Sequence, residues 1–289
     1  MQIIAKGLKF SYNKDAKFRR DALNGVDLVI SDGDFFGIIG ETGSGKSTFI
    51  QHLNGLIAVQ EGSLTVGAFD LSSGVKKDKK VLKELRRRVG MVFQYPEYQL
   101  FAETVFEDVA FGLKNFYPEL KKDEVVKRVG DAITAVGLDY NEVKDKSPFS
   151  LSGGQKRRVA IAGVIVTRPE VLVLDEPVAG LDPEGKRNLM KTLGALKQDF
   201  VKTVIIVSHD MDEVLENCNA AAAFSGGKAV KTGAPKDIFK DEKLVESLRL
   251  NEPVTAYIEN RINDLGVRFL GGADIKEFTQ NLITLIKSR

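Results

Sequence analysis

Gly40-Glu-Thr-Gly-Ser-Gly-Lys-Ser-Thr48 and, far downstream, Leu151-Ser-Gly-Gly-Gln155 are the stretches that decide how this chain folds. The first fits G-x-x-x-x-G-K-[ST], whose glycines let the backbone curl until its amides face phosphate oxygens. Phe35-Phe-Gly-Ile-Ile39 ahead of it reads as a buried strand, and a helix is expected from Lys46 to about Leu53. In that setting Lys46 is placed to reach the β- and γ-phosphates of a nucleoside triphosphate, and Ser47 to give its hydroxyl to Mg²⁺. The candidate phosphate-binding residues are therefore Gly40, Thr42, Gly43, Ser44, Gly45, Lys46, Ser47 and Thr48.

Outward from that loop, strands alternate with helices. Residues 2–12 and 26–39 alternate or run apolar, broken by Asp32-Gly33-Asp34 as a turn. A strand at 63–67, a basic helix over Val81–Arg88 and a strand over Val89–Phe93 come next. Residues 104–137 read as two helices, Val105–Leu113 and Val125–Val136, separated by Pro118, and a third helix runs over Gly153–Thr167. Val171-Leu-Val-Leu174 and Thr203-Val-Ile-Ile-Val207 are all-apolar strands with a helix near 184–198 between them. Such alternation predicts a parallel sheet with crossover helices and a helical insert. Beyond about 234 the chain turns helical and more polar, ending in an apolar stripe at Ile275, Phe278, Leu282 and Leu285.

Bulk properties exclude several classes. Lys+Arg is 42 against Asp+Glu 40, so the net charge of +2 argues neither for nor against a nucleic-acid or membrane partner. The single cysteine, Cys218, rules out an internal disulfide and the usual zinc spacings, and suits a reducing compartment. Neither a signal-like apolar run at Met1–Lys6 nor a membrane-length apolar window is evident. The basic runs Lys76–Lys80 and Arg86–Arg88 lack an aromatic platform and read as a solvated helix face.

Further candidates sit at strand ends. Asp175 closes Val171–Leu174, where P-loop ATPases keep an acid for Mg²⁺, and Glu176 can hold or polarise an attacking water. Gln94, after Val89–Phe93, has an amide able to touch both the metal and that water, although a Gln at a turn is ordinarily just surface. His209, in Ser-His-Asp, can hydrogen-bond a γ-phosphate, although a lone histidine is more often structural. The other histidine is His52, so a metal site built on histidines is not expected.

Taken in order, Gly40–Thr48, Gln94, Leu151–Gln155, Leu172–Glu176, Ala179-Gly-Leu-Asp182 and His209 resemble the motifs of an ABC-type ATPase subunit. The resemblance covers about residues 1–235 and implies an α/β fold. It has a mostly parallel P-loop NTPase core, an antiparallel β-subdomain, a helical subdomain over about 98–168, and a C-terminal helical extension over 236–289. It implies ATP and Mg²⁺ as cofactors, with Ser47, Gln94 and Asp175 at the metal, Glu176, His209 and Gln94 in hydrolysis, and Tyr12 against adenine. It also implies a head-to-tail dimer, in which Ser152, Gly153, Gly154 and Gln155 of one subunit close over nucleotide held by the other, with Asp182 at the seam.

Val92-Phe-Gln-Tyr-Pro-Glu-Tyr-Gln-Leu-Phe101 and Ser147–Gly163 narrow the likeness to ATPases of energy-coupling factor transporters, which import vitamins and transition-metal ions. Thr42 with Pro148-Phe149 resembles the second of the two ATPase types in those systems. The implied partners are a second ABC ATPase, a transmembrane coupling protein and a substrate-binding membrane protein, with no nucleic acid. The implied place is the cytoplasmic face of the cell membrane, as a peripheral protein. Tyr95, Pro96, Tyr98 and Leu100 are expected to give apolar contact to a helix of the coupling protein, and Glu97 and Gln99 to meet its basic side chains. Phe101 fits either that groove or the core, and the C-terminal stripe fits either a dimer contact or packing on its own domain. The alternatives are an importer ATPase served by a soluble binding protein and a soluble ABC ATPase acting on nucleic acid or ribosomes.

Overall fold

Strands that are apolar on both faces must be covered on both faces. The computed structural model describes residues 1–13, 18–76, 78–251, 253–269, 271 and 275–287, and it shows that arrangement. Along the chain come β1 (Ile3–Tyr12), β2 (Arg20–Ile30), β3 (Phe35–Gly40), α1 (Lys46–Leu53), β4 (Glu61–Val66), β5 (Phe69–Asp70), α2 (Lys79–Arg88) and β6 (Val89–Val92). A helical stretch follows, with α3 (Val105–Phe116), α4 (Lys122–Ala135), α5 (Tyr140–Val143) and α6 (Gly153–Ile165). The chain then returns to the sheet through β7 (Val171–Asp175), α7 (Pro183–Asp199), β8 (Thr203–Val207), α8 (Met211–Asn217), β9 (Ala220–Ser225) and β10 (Lys228–Gly233). Helices α9 (Pro235–Phe239), α10 (Glu242–Ser247), α11 (Val254–Asp264) and α12 (Ile275–Lys287) come last.

Among the described residues the strands form two sheets. The larger has the order β10-β9-β3-β8-β7-β6, parallel from β9 to β6, with β10 antiparallel on its edge. The smaller is antiparallel, in the order β2-β1-β4-β5. Side chains of the parallel strands alternate between two cores, as a period of two requires. Phe36, Ile38, Val171, Val173, Ile205 and Val207 point into the core shared with α1 and the antiparallel sheet. Phe35, Ile39, Leu172, Leu174, Val204 and Ile206 point into the opposite core, filled by α3, α4, α6 and α7.

Two consequences position the site. The parallel strands β3, β7 and β8 end side by side, so the loops after Gly40, Asp175 and Val207 share one edge, where ligands of open α/β sheets bind. The helical stretch packs on that sheet through α6, whose Val159, Ile161, Ala162 and Ile165 are buried, so the Ser152 end of α6 is carried on a rigid element.

The basic helix α2 is tied down by its own chain. Arg87 and Arg88 both pair with Glu84, Arg88 also reaches Glu170 at 3.0 Å, and Arg87 donates to Tyr117 Oη at 2.8 Å. Lys77 lies outside the described residues. In the tail, Phe278 is buried edge-on against Phe269, with ring centroids 5.3 Å apart, while Leu282 and Leu285 are half-buried. The side chain of Ile275 lies outside the described residues. The stripe is thus at least partly packed within its own chain. No helix among the described residues is long and apolar enough to cross a membrane.

Candidate functional site

Gly40 and Gly45 make the loop after β3 possible. Gly40 has φ +144°, and a Cβ there would lie 2.2 Å from Phe224 O; Gly45 has φ +104°, and a Cβ there would lie 2.5 Å from Ala22 O. Only glycine tolerates both the backbone region and the crowding. The loop delivers α1 with Gly45 as its cap and no side chain capping its first turn. The N–H groups at that helix start therefore remain for an anion, and the helix dipole favours negative charge there. Gly227 N–H donates to Ser44 O at 3.1 Å, so the turn between β9 and β10 braces the loop from behind.

Lys46 is buried, and its Nζ donates to Gly40 O at 2.7 Å and Glu41 O at 2.8 Å. Burial lowers its pKa, while the charges of Glu176, Asp175 and Glu41 oppose that shift. Asp175, buried at the end of β7, has its pKa raised chiefly by burial, and the Ser47 hydroxyl hydrogen-bonds to it. One carboxylate beside one hydroxyl is a hard-oxygen pair of the kind Mg²⁺ accepts when phosphate and water complete its shell. No cluster of three or more His, Cys, Asp or Glu side chains suited to an all-protein metal cage occurs among the described residues. The donor set fits a metal that arrives with its nucleotide.

Glu176 stands at the centre. Its backbone lies in the left-handed region at φ +47°, a costly conformation for a non-glycine residue ahead of a proline. Its N–H is held by Val207 O at 2.9 Å. Gln94 Nε2 donates to Glu176 Oε2 at 2.9 Å, and His209 Nδ1 lies 3.6 Å from the same oxygen. Amide, carboxylate and imidazole from three loops thus converge. Glu176 and His209 border a cleft of about 540 Å³ that also takes in Lys46, Glu41 and Arg249, and Gln94 reaches it through its bond to Glu176. Such backbone strain, held by the surrounding structure at a cleft, is a mark of functional positions.

Tyr12 Oη is 3.2 Å from Thr48 Oγ1, and its half-exposed ring packs edge-on against Phe10 at 4.9 Å, so an aromatic face stands beside the loop. His52 is a core residue whose Nδ1 is 2.7 Å from Thr48 O.

The signature residues are elsewhere. Ser152 caps α6 in a reciprocal box: its Oγ accepts from Gln155 N at 3.3 Å, and Gln155 Oε1 accepts from Ser152 N at 3.0 Å. None of Ser152–Gln155 lines the cleft of this chain. Gly153 and Gly154 are exposed, and a Cβ on either would meet nothing within 4 Å, so nothing inside the chain requires glycine there. Asp182 is exposed and caps α7 through Gly185 N–H at 2.7 Å.

The segment Tyr95–Phe101 departs from expectation in part. Pro96 and Leu100 are buried, so they belong to the interior and not to a contact surface. Glu97 faces inward, 3.7 Å from the buried Arg157, whose guanidinium also donates to Pro177 O and Ala179 O at 3.0 Å. The charge expected to meet a partner is thus committed within the chain. Tyr98 and Phe101 are 85% and 58% exposed, and Phe101 stacks edge-on with Phe111, 49% exposed, so Phe101 is surface and not core. Phe101 and Phe111 line a cleft of about 290 Å³.

Sequence reading missed Arg157, Phe111, Arg249 and Glu213. Glu213, on α8, is buried; Ser208 Oγ donates to its Oε2 at 2.7 Å, and its Oε1 has no hydrogen-bond partner. Burial pushes its pKa from 4.5 up to about 7. The folded state therefore holds a proton that the unfolded state releases, and stability falls as pH rises between about 4.5 and 7. Glu213→Gln removes this dependence. At pH 8 the variant is expected to be more stable than the parent by roughly 3 kcal/mol at most, and at pH 5 by less than about 1 kcal/mol. Chemical denaturation at the two pH values checks it; an equal difference at both, or none, sinks it.

Residues 23–179 match the family model described as ABC transporter. The chain is 43% identical over 266 residues to "Energy-coupling factor transporter ATP-binding protein EcfA2" of Clostridium tetani, covering 92% of this chain and 90% of that protein. It is 42% identical to the protein of the same name from Clostridioides difficile, covering 100% of this chain and 99% of that protein. Among solved structures it is similar to CbiO1 from Clostridium perfringens, described as part of the ABC transporter complex cbiONQ. There the TM-score is 0.73 at 35% identity, over 89% of this chain and 98% of that one. It is also similar to the ATP-binding cassette MJ0796, solved as a dimer in a post-hydrolysis state bound to ADP and Pi. There the TM-score is 0.72 at 28% identity, over 81% of this chain and 98% of that one.

Proposed function

The chain belongs to the ABC transporter family, as an ATP-binding subunit of the energy-coupling factor class, an ATPase coupled to transport; on that premise we propose that it powers uptake of vitamins or transition-metal ions from the cytoplasmic face of a prokaryotic membrane. The observation that carries the reading is the convergence of Gln94 and His209 on Glu176, which with Lys46 lines the cleft. Lys46 and the amides at the start of α1 bind the β- and γ-phosphates, and Tyr12 stacks on adenine. Ser47, Asp175 and Gln94 would hold Mg²⁺, which would supply charge neutralisation on the phosphate oxygens. Glu176 orients the attacking water, with His209 on the γ-phosphate.

Ser152, Gly153 and Gly154 serve the nucleotide of a partner ATPase. Their placement at an exposed helix start, with glycines the chain itself does not need, supports that assignment. Asp182 lies at the seam, held at the start of α7 by the capping bond from Gly185 N–H. Residues 1–235 form the ATPase domain, with about 98–168 as the helical subdomain, and 236–289 form an extension that packs partly on itself.

Tyr98, Phe101 and Phe111 form an exposed apolar ridge, of which Phe101 and Phe111 line the smaller cleft with Gln99, and this ridge receives a helix of the transmembrane coupling protein. Capture of the tagged chain from detergent-solubilised native membranes tests the class. A sister ATPase, one coupling protein and several small substrate-binding membrane proteins are expected. Tyr98→Ala is expected to lose the membrane proteins and keep the sister ATPase. A single dedicated permease pair, or ribosomal or DNA-bound partners, would discard the energy-coupling factor mechanism for this chain.

A further inference from the structure

One wall of the nucleotide cleft comes from neither motif loop. It is the turn that ends α10, beyond the last strand of the sheet. Arg249 has φ +47° and follows the helix cap Leu248. Its N–H donates to Glu246 O at 3.0 Å, and the Leu250 N–H donates to Val245 O at 3.0 Å. These two bonds make a Schellman turn, whose left-handed residue is ordinarily glycine. Arginine here carries a steric cost that glycine avoids, so local geometry does not explain its presence.

The turn is fixed on both sides. Leu250 packs against the core on the helical side of the sheet, and Pro253 is buried. Val254 N–H donates to Asp212 Oδ1 at 2.9 Å, beside the His209 loop. Arg249 is therefore held at the cleft by packed structure and not by a loose tail.

Its guanidinium rests against Glu41 of the phosphate loop, with Nε 3.6 Å from Oε1, and the two side chains are 83% and 47% exposed. An ion pair that open to water is worth little. Glu41 can therefore release the arginine to a stronger anion. Arg249 lines the same cleft as Lys46, Glu176 and His209. A terminal phosphate offers more charge and more acceptor oxygens than one carboxylate, in a geometry that suits a guanidinium fork.

We propose that Arg249 is a nucleotide-binding residue, whose guanidinium leaves Glu41 to bind the terminal phosphate of ATP. The assignment rests on the phosphate loop holding the nucleotide, and it makes the turn after α10 sensitive to whether ATP or ADP is bound.

Equilibrium binding of ADP and of a non-hydrolysable ATP analogue to the full-length chain, with Mg²⁺, tests it. Arg249→Gly removes the cation while favouring the turn, so loss of folding does not confuse the result. It is expected to weaken the ATP analogue about tenfold while leaving ADP affinity in place, as loss of one charge-assisted contact made only to the third phosphate implies. Glu41→Gln is expected to tighten the ATP analogue more in the parent than in the Arg249→Gly background, where only the general loss of repulsion in the cleft remains. Unchanged binding of both nucleotides by Arg249→Gly, or a parallel loss of both, overturns the proposal. Lys46→Ala separates the two levels: if it loses both nucleotides while Arg249→Gly loses neither, the phosphate-loop assignment stands and the role of Arg249 falls.

Discussion

Glu176→Gln is expected to cut ATP turnover by about 10²-fold or more while nucleotide remains bound, the range lost with a positioned general base. The substitution is nearly isosteric and touches little else. Glutamine keeps the same backbone demand at φ +47°, where the Val207 carbonyl holds the N–H, and its amide can still pair with Gln94. What changes is charge. Glu176 lies beside Lys46 electrostatically, and its Oε2 is shared between Gln94 and His209. Removing one negative charge from a cleft that must admit a triphosphate weakens repulsion, so ATP affinity is expected to hold or rise while the water loses its acceptor. ATP-bound dimer is then expected to accumulate, visible as a nucleotide-dependent shift in size-exclusion chromatography alongside a phosphate-release assay. Hydrolysis at the parent rate would remove Glu176 as the group that handles water.

The contrast between Glu176 and Arg249 shows what a sequence can disclose. Glu176 was legible because it follows an all-apolar strand and sits downstream of a glycine loop, a spacing with few other readings. Gly40–Thr48, Ser152 and the parallel strands β3, β7 and β8 were legible for the same reason: backbone geometry restricts which residues can stand there. Arg249 carries no such signal. Its place at the cleft follows from how α10 packs, and a tertiary approach leaves no periodicity in the chain. Strand β9 was hidden differently. Ala220-Ala-Ala-Ala-Phe224 favours a helix by local propensity, yet it lies between β3 and β10 with Ala221, Ala222 and Ala223 fully buried. Tertiary covering on both faces outweighs the weak preference of alanine. Leu100 and Glu97 were misplaced because a short turn gives no periodicity from which to infer a face. Burial put Leu100 in the core, and the buried Arg157 drew Glu97 inward.

Lys46→Ala is expected to weaken both ATP and ADP by about 10- to 100-fold, since charged hydrogen bonds of this kind contribute about 1.5–3 kcal/mol. The ammonium is already desolvated, so the cost of burying it has been met in folding and not in binding. In the free chain it is held by Gly40 O and Glu41 O, with the charges of Glu176, Asp175 and Glu41 opposing the effect of burial on its pKa. A phosphate therefore meets a preorganised cation and adds acceptors to it without stripping water from it. Alanine removes that cation and leaves Gly40 O, in a buried setting, without its donor. The lost hydrogen bond costs about 1–3 kcal/mol, as for an unsatisfied buried acceptor, and relief of the buried ammonium offsets part of that in the absence of nucleotide. Thermal melts of the two proteins with and without nucleotide read both effects. The parent should gain stability with added ATP according to its affinity, and the variant should melt lower and gain little. A variant that binds as tightly as the parent would mean the helix-start amides carry the phosphates alone, and that Lys46 serves only to close the loop.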